Sequence, residues 1–167
     1  MQYKAEWKSP IGTLTMASDG QTITGLWMEG QDYFAWGLSG DATDGRDLPI
    51  IRNTIRALED YFQGNGLDLT SISIMPQGTP FQRSVWAQLL DIPAGQTRTY
   101  GQIAAAVEAA RGYKTSPRAV GTAIGRNPIS ILIPCHRVIG SDGKLTGYAG
   151  GIRRKEYLLK LENGTTP

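Results

Sequence analysis

The 167-residue sequence contains one cysteine, Cys135, and one histidine, His136. A single thiol cannot close an intramolecular disulfide. A zinc site with four cysteine and histidine ligands is equally out of reach. Long apolar runs are missing too. The longest, residues 129–134, is interrupted by Ser130, far short of the roughly 20 residues of a membrane span. The opening Met1-Gln2-Tyr3-Lys4-Ala5-Glu6-Trp7-Lys8 lacks the basic-then-apolar order of a secretion signal. These absences predict a cytoplasmic protein with no membrane partner, no metal and no cofactor. Nothing calls for an obligate oligomer, so a monomer is expected. A hydrophobic content of 40% is too high for a disordered chain and suits a packed core.

Net charge is only +2, but its distribution is uneven. Residues 1–79 carry 5 Lys and Arg against 10 Asp and Glu, whereas residues 80–167 carry 12 against 5. An acidic half followed by a basic half points to an anionic partner for the second, with nucleic acid first among the candidates.

The first half reads as a small α+β unit. Tyr3, Ala5 and Trp7 alternate with polar residues, Ser9-Pro10-Ile11-Gly12 is a turn, and residues 13–17 and 23–28 continue as strands. Residues 29–48 form a Gly- and Asp-rich loop that Tyr33, Phe34 and Trp36 could anchor. Residues 48–62 form a helix with Ile51, Ile55, Leu58 and Phe62 on one stripe. Residues 70–75 read as one more strand, and Met75-Pro76-Gln77-Gly78 as a linker.

The second half is mostly helical. Thr79-Pro80-Phe81-Gln82 combines an N-cap, a first-turn proline and a glutamine three residues after the cap. Phe81, Val85, Trp86, Leu89 and Leu90 give that helix its apolar face. Residues 100–109 and 116–125 form two short helices in succession, which suggests a helix-turn-helix. The second carries small residues, Ala119, Gly121, Thr122, Ala123 and Gly125, between Arg118 and Arg126. Each glycine weakens a helix by roughly 1 kcal/mol relative to alanine. Such a surface serves close approach, either of a neighbouring helix or of a DNA backbone with arginines reaching its phosphates. Residues 129–133 read as a strand-like run into Pro134-Cys135-His136-Arg137-Val138. Residues 152–162 form the last helix, with Ile152, Leu158, Leu159 and Leu161 as its apolar contacts.

A free thiol titrates near 8.5, so Cys135 needs a base or a positive neighbour to become nucleophilic. His136 is the only imidazole, and a base of this kind is usually oriented by a third group. Asp91, Glu108, Asp142, Glu156 and Glu162 are the carboxylates of the second half, and spacing does not choose among them. A lone cysteine is also commonly a small buried apolar residue.

The string Ile133-Pro134-Cys135-His136-Arg137-Val138 resembles the active-site signature of the O6-alkylguanine-DNA alkyltransferases. The resemblance continues through Gly78-Thr79-Pro80-Phe81-Gln82-Arg83, Val85-Trp86, Ile92-Pro93, Thr99-Tyr100-Gly101, Arg118-Ala119-Val120-Gly121, Asn127-Pro128, Gly147-Tyr148-Ala149-Gly150-Gly151 and Lys155-Glu156. It covers residues 76–162 closely and the first half only in coarse layout. It implies an α+β fold: a β-sheet-plus-helix scaffold domain over residues 1–75, then a mostly helical domain over residues 76–167. The second domain carries a winged-helix-like helix-turn-helix and the active site.

The implied activity is DNA repair by direct reversal. A methylated-DNA–protein-cysteine methyltransferase flips O6-alkylguanine out of double-stranded DNA from the minor groove. It then moves the alkyl group irreversibly to its own cysteine, once per molecule. By resemblance Cys135 matches the acceptor, His136 the base acting through water, Glu162 its orienting carboxylate, and Asn127 the hinge residue. Tyr100 matches the residue that assists at the base, and Arg118 the finger that fills the vacated stack. Ala119, Gly121, Thr122, Arg126 and Arg137 are expected on the DNA-binding face. Tyr100, Pro134, Val138, Tyr148, Ala149 and Gly150 are expected to line the guanine pocket.

The chain departs from the family pattern twice. Some relatives hold zinc in the first domain through cysteines and histidines, and none stand there here. The stretch 108–115 between the paired helices is also longer than the pattern leads one to expect. Three other readings compete. Non-catalytic alkyltransferase-like damage-recognition proteins typically carry tryptophan where this chain has Cys135. A Cys-His hydrolase would turn over repeatedly on an ester or peptide. A purely structural domain would leave Cys135 and His136 inert.

Overall fold

The structure, a computed structural model, describes all 167 residues. They form two compact units. The first comprises Met1–Gln77 together with Pro128–Leu132, and the second Gly78–Asn127 together with Ile133–Pro167.

In the first unit, β1 (Tyr3–Ser9), β2 (Gly12–Ser18) and β3 (Ile23–Met28) form an antiparallel meander. The short β4 (Thr43–Asp44) lies parallel to β1, so the strand order is β3-β2-β1-β4. On β1 only the side chains of every second residue turn inward, as a half-buried strand requires, while Leu14 to Ser18 of β2 are all buried. Helix α1 (Pro49–Phe62) packs near β1 and β2. Its buried face is Ile50, Ile51, Thr54, Ala57, Leu58 and Tyr61. The expected stripe is therefore rotated: Ile55 and Phe62 are only half-buried. Phe62 instead packs against Trp7, with ring centres 6.0 Å apart and planes tilted by 40°.

Two strand expectations are corrected. Of residues 70–75, only Ile74 pairs, bridging Ile23. Of the run 129–133, only Ile129 pairs, bridging Leu26 in β3. The chain then folds back on itself twice. Leu132 N–H bonds to the Ser130 carbonyl at 2.8 Å around Ile131, whose φ is 70°. Cys135 N–H bonds to the Ile133 carbonyl at 2.8 Å around Pro134, at φ −80° and ψ 63°. These are successive γ-turns. The second is the common inverse form, to which the fixed φ of proline is suited; the first is the rare strained form. A β-branched residue at positive φ persists only where its surroundings hold it there, and Ile131 is buried.

In the second unit, α2 (Pro80–Leu90) and α3 (Tyr100–Arg111) each begin with a complete capping box, Thr79 with Gln82 and Thr99 with Gln102. Ser116 caps α4 (Pro117–Gly125) through the Ala119 N–H. The three helices pack on one another. Trp86 of α2 is buried and donates its indole N–H to the Ala123 carbonyl of α4 at 2.9 Å. Gly78 makes room for that indole, because a Cβ there would sit 2.5 Å from the ring. Leu90, expected in the apolar face of α2, is 44% exposed. A two-stranded parallel ladder of β5 (Arg98–Thr99) and β6 (Val138–Ile139) ties the start of α3 to the signature segment. The last helix, α5 (Ile152–Glu162), buries Lys155 and Leu158, whereas Ile152 is 43% exposed. No helix is long and apolar enough to cross a membrane.

Candidate active site

Cys135, His136 and Arg137 form a single 3-10 turn directly after Pro134, and all three are buried. Adjacent residues in an extended strand would face opposite ways; the turn removes that constraint. His136 Nε2 lies 2.7 Å from Glu162 Oε2 at the end of α5, with both side chains essentially out of solvent. Glu162 also receives a fork from Arg137: Nε to Oε1 at 2.8 Å and Nη2 to Oε2 at 2.8 Å. Arg137 Nη1 donates to the Ile92 carbonyl. Three hydrogen bonds from two residues thus converge on the buried carboxylate, and the doubly bonded fork holds its plane.

This arrangement assigns the imidazole tautomer. Burial pushes the His136 pKa below its usual value, outweighing the Glu162 hydrogen bond and charge that pull it upward. The ring is therefore neutral near pH 7. Its Nε2–H donates to Glu162, and Nδ1 keeps a lone pair. Nδ1 is buried and has no hydrogen-bond partner in the protein.

Burial likewise pushes the Cys135 thiol up. A hydrogen bond from Asn127, the positive charge of Lys155, and the backbone N–H groups of Cys135 and His136 oppose that rise. Asn127 Nδ2 also donates to the Ile133 carbonyl at 2.9 Å, bracing the turn that presents the thiol. Tyr100 begins α3, where the β5–β6 ladder delivers it beside this segment. Its hydroxyl donates to the Thr146 carbonyl at 3.3 Å. Burial, the largest influence, raises its pKa; the Thr146 side chain lowers it in part, and charge on Cys135 raises it further.

The second unit thus brings together Cys135, His136, Glu162, Asn127 and Tyr100, with Pro134 and Val138 buried alongside. Tyr148, Ala149 and Gly150 are half-buried on the loop before α5. On α4, Val120, Ala123 and Ile124 face inward, while Arg118, Ala119 and Thr122 are exposed and Gly121 half-exposed. Arg126 follows at its exposed end. Arg137 is the correction. Expected on the DNA-binding face, it is 7% exposed, and its guanidinium is consumed by Glu162 and Ile92.

One residue of the site was not singled out for any role from sequence. Lys155 on α5 is fully buried, and donates to the Val138 carbonyl at 2.5 Å and the Thr146 carbonyl at 2.9 Å. Burial lowers its pKa to about 8, against the pull of Cys135. Its two acceptors lie at either end of the loop that carries residues 140–145, so one ammonium holds that loop closed. The signal was available: Lys155, Leu158, Leu159 and Glu162 share one helical face, with a charge at each end of an apolar stripe. No cluster of three or more His, Cys, Asp or Glu side chains able to hold a metal is present.

Comparison with known proteins agrees with this layout. Residues 3–76 match the 6-O-methylguanine DNA methyltransferase ribonuclease-like domain, and residues 80–164 match the DNA binding domain of the same proteins. A methylated-DNA–protein-cysteine methyltransferase of Methanosarcina barkeri is 46% identical over 93% of this chain and 93% of its own. Its namesake in Mycobacterium tuberculosis is 44% identical over 95% of this chain and 91% of its own. The crystal structure of Mycobacterium tuberculosis OGT in complex with DNA superposes with a TM-score of 0.85 at 42% identity, covering 99% of this chain and 95% of that one. With both domain models matched in order and relatives this similar over nearly the whole length, the chain belongs to the 6-O-methylguanine DNA methyltransferase family.

Proposed function

We propose that the chain repairs DNA by direct reversal, taking the alkyl group from O6 of guanine onto its own Cys135. One observation carries the proposal: a buried thiol follows directly on the γ-turn at Pro134, next to an imidazole whose Nε2 is committed to Glu162 and whose Nδ1 is left as a base. A raised thiol pKa beside a neutral histidine describes a resting pair that is protonated on sulfur and ready to pass that proton on.

In the step itself, His136 takes the thiol proton, through water. The sulfur attacks the alkyl carbon, the carbon–O6 bond breaks, and its electron pair leaves with guanine. Tyr100 donates a proton to the departing base and recovers one from His136, so the thiol proton ends on guanine. Lys155 and Asn127 lower the cost of the thiolate. The product thioether has no easy reverse, so each molecule reacts once.

The alkylated base reaches Cys135 only after it is flipped from the duplex, at a cost of a few kcal/mol for unstacking. The exposed row Arg118, Ala119 and Thr122 on α4, with Gly121 beside it and Arg126 at its end, is the face assigned to the minor groove, with Arg118 filling the vacated stack. Val138, Tyr148, Ala149 and Gly150 form walls of the guanine pocket. The reading places DNA binding and chemistry in residues 76–167 and treats residues 1–75 as scaffold, in a monomer.

Mass spectrometry of the intact protein and its peptides, after mixing with excess duplex containing O6-methylguanine, tests this. The expected result is a gain of one methylene on Cys135, limited to one per molecule and abolished in Cys135→Ser with DNA binding intact. No mass gain, or transfer retained by Cys135→Ser, overturns the proposal.

A further inference from the structure

The connection between α3 and α4 is the stretch whose length departs from the family pattern, and the activity proposed above does not use it. It lines a surface cavity of about 620 Å³ with Phe81, Arg111, Tyr113, Lys114, Ser116 and Ala119 on its walls. The guanidinium carbon of Arg111 sits 5.2 Å from the ring centre of Phe81 and 5.2 Å from that of Tyr113. Tyr113 is 65% exposed. An aromatic ring fixed in solvent by a stacked cation offers an apolar face at little entropic cost. Stacking also occupies only the faces of the guanidinium and leaves its N–H edge for an anion.

The loop is held in this shape by backbone chemistry. Gly112 takes a left-handed φ of 78° and bonds to the Glu108 carbonyl at 2.8 Å, and the Glu108 carboxylate accepts the Thr115 N–H at 2.9 Å. That carboxylate is thereby committed to the loop, and no acidic side chain lines the cavity. Neither Arg111 nor Lys114 forms an ion pair. The cavity is continuous with α4 through Ala119, next to the exposed Arg118.

We propose that this connection is a second phosphate-binding subsite, which grips the sugar-phosphate backbone of duplex DNA beside the recognition helix and outside the pocket for the flipped guanine. Arg111 and Lys114 take the phosphate, and the Tyr113 ring packs on the adjoining sugar. The inference rests on the DNA-binding part of the function proposed above. It makes the footprint on DNA longer than α4 alone provides, with a contact indifferent to both sequence and damage.

The full-length chain and its Lys114→Gln and Tyr113→Ala variants are titrated with undamaged duplex over a series of KCl concentrations, and with O6-methylguanine duplex for transfer. Lys114→Gln is expected to weaken duplex binding severalfold and to lower the slope of log affinity against log salt by about one, the signature of one lost phosphate contact. Tyr113→Ala is expected to weaken binding in the same direction. Transfer to Cys135 at saturating DNA should stay at the wild-type rate in both. Wild-type affinity and salt slope in both variants overturn the subsite. So does a slower transfer at unchanged affinity, which would make the loop a brace for α4. A wild-type chain that never gains an alkyl group, yet loses salt-dependent affinity in Lys114→Gln, sinks the repair reading and leaves the subsite standing.

Discussion

His136 carries a cost that shows outside catalysis. Burial keeps its pKa in the folded chain below 6.5, whereas an unfolded chain titrates at the ordinary value. Above pH 6.5 both states hold the imidazole neutral, and the folded state has its full stability. As pH falls through 6.5 the unfolded chain gains a proton that the folded chain refuses, so stability drops by about 1.4 kcal/mol per pH unit until the folded pKa is reached. Denaturant unfolding from about pH 7.5 to about pH 5 should show that slope in the wild type and a shallower one in His136→Gln. Equal slopes would mean that the folded and unfolded chains protonate the ring alike, and that burial does not depress its pKa. At this scale the sequence was most legible where a residue type was unique. Cys135 and His136 could be picked out because each occurs once, whereas the choice of Glu162 among five carboxylates needed the family resemblance. Lys155 and the inward turn of Arg137 were not anticipated, because a cation is normally placed in water, and only the fold reveals which carbonyls and carboxylate it meets.

Among the elements, helix starts were the most legible, because caps are local chemistry. Thr79 with Gln82 and Ser116 before Pro117 each stand where the structure begins a helix, and Thr99 with Gln102 forms a further capping box that the sequence reading passed over. The apolar run 129–133 misled. Its composition is that of a strand, but residues that turn at Ile131 and Pro134 cannot continue a ladder, and nothing short of the surrounding packing forces a β-branched residue to positive φ. Helix α4 raises a different question, since its small residues suit either core packing or a close approach of DNA. A Cβ on Gly121 would meet the Tyr100 ring at 3.7 Å, an ordinary contact. Folding therefore does not require glycine there. Gly121→Ala is expected to stabilise the protein by about 0.5–1 kcal/mol, as a glycine-to-alanine change inside a helix does. If the glycine is kept for DNA, affinity for duplex should fall in the same variant. Raised thermal stability with unchanged DNA affinity would return Gly121 to a packing role.

At the scale of the molecule, the charge split between the halves is legible by counting, and it matches the placement of the exposed arginines on and after α4. The allotment of chain to units is not legible in the same way. Residues 76–167 look like a continuous domain in sequence, yet Pro128–Leu132 belongs to the first unit. There the Leu26 N–H bonds to the Pro128 carbonyl at 2.9 Å, and the Ser130 N–H bonds to the Leu26 carbonyl at 2.9 Å. Ile129, Ile131 and Leu132 are almost wholly buried. A fragment of residues 78–167 would carry these side chains without β3 to pair with. Burying each such side chain contributes about 1.5–3 kcal/mol, so the fragment forfeits on the order of 5 kcal/mol, comparable to the whole stability of a small domain. It would also leave the strained turn at Ile131, four residues before Cys135, without the packing that holds it. The fragment is therefore expected to unfold at a much lower temperature than the full chain and to aggregate through the exposed isoleucines. Whatever folds should transfer alkyl groups slowly. Thermal unfolding followed by circular dichroism, with transfer assayed on the same preparation, decides the matter. A fragment with full-length melting temperature and transfer rate would show that the signature segment holds its conformation without the first unit.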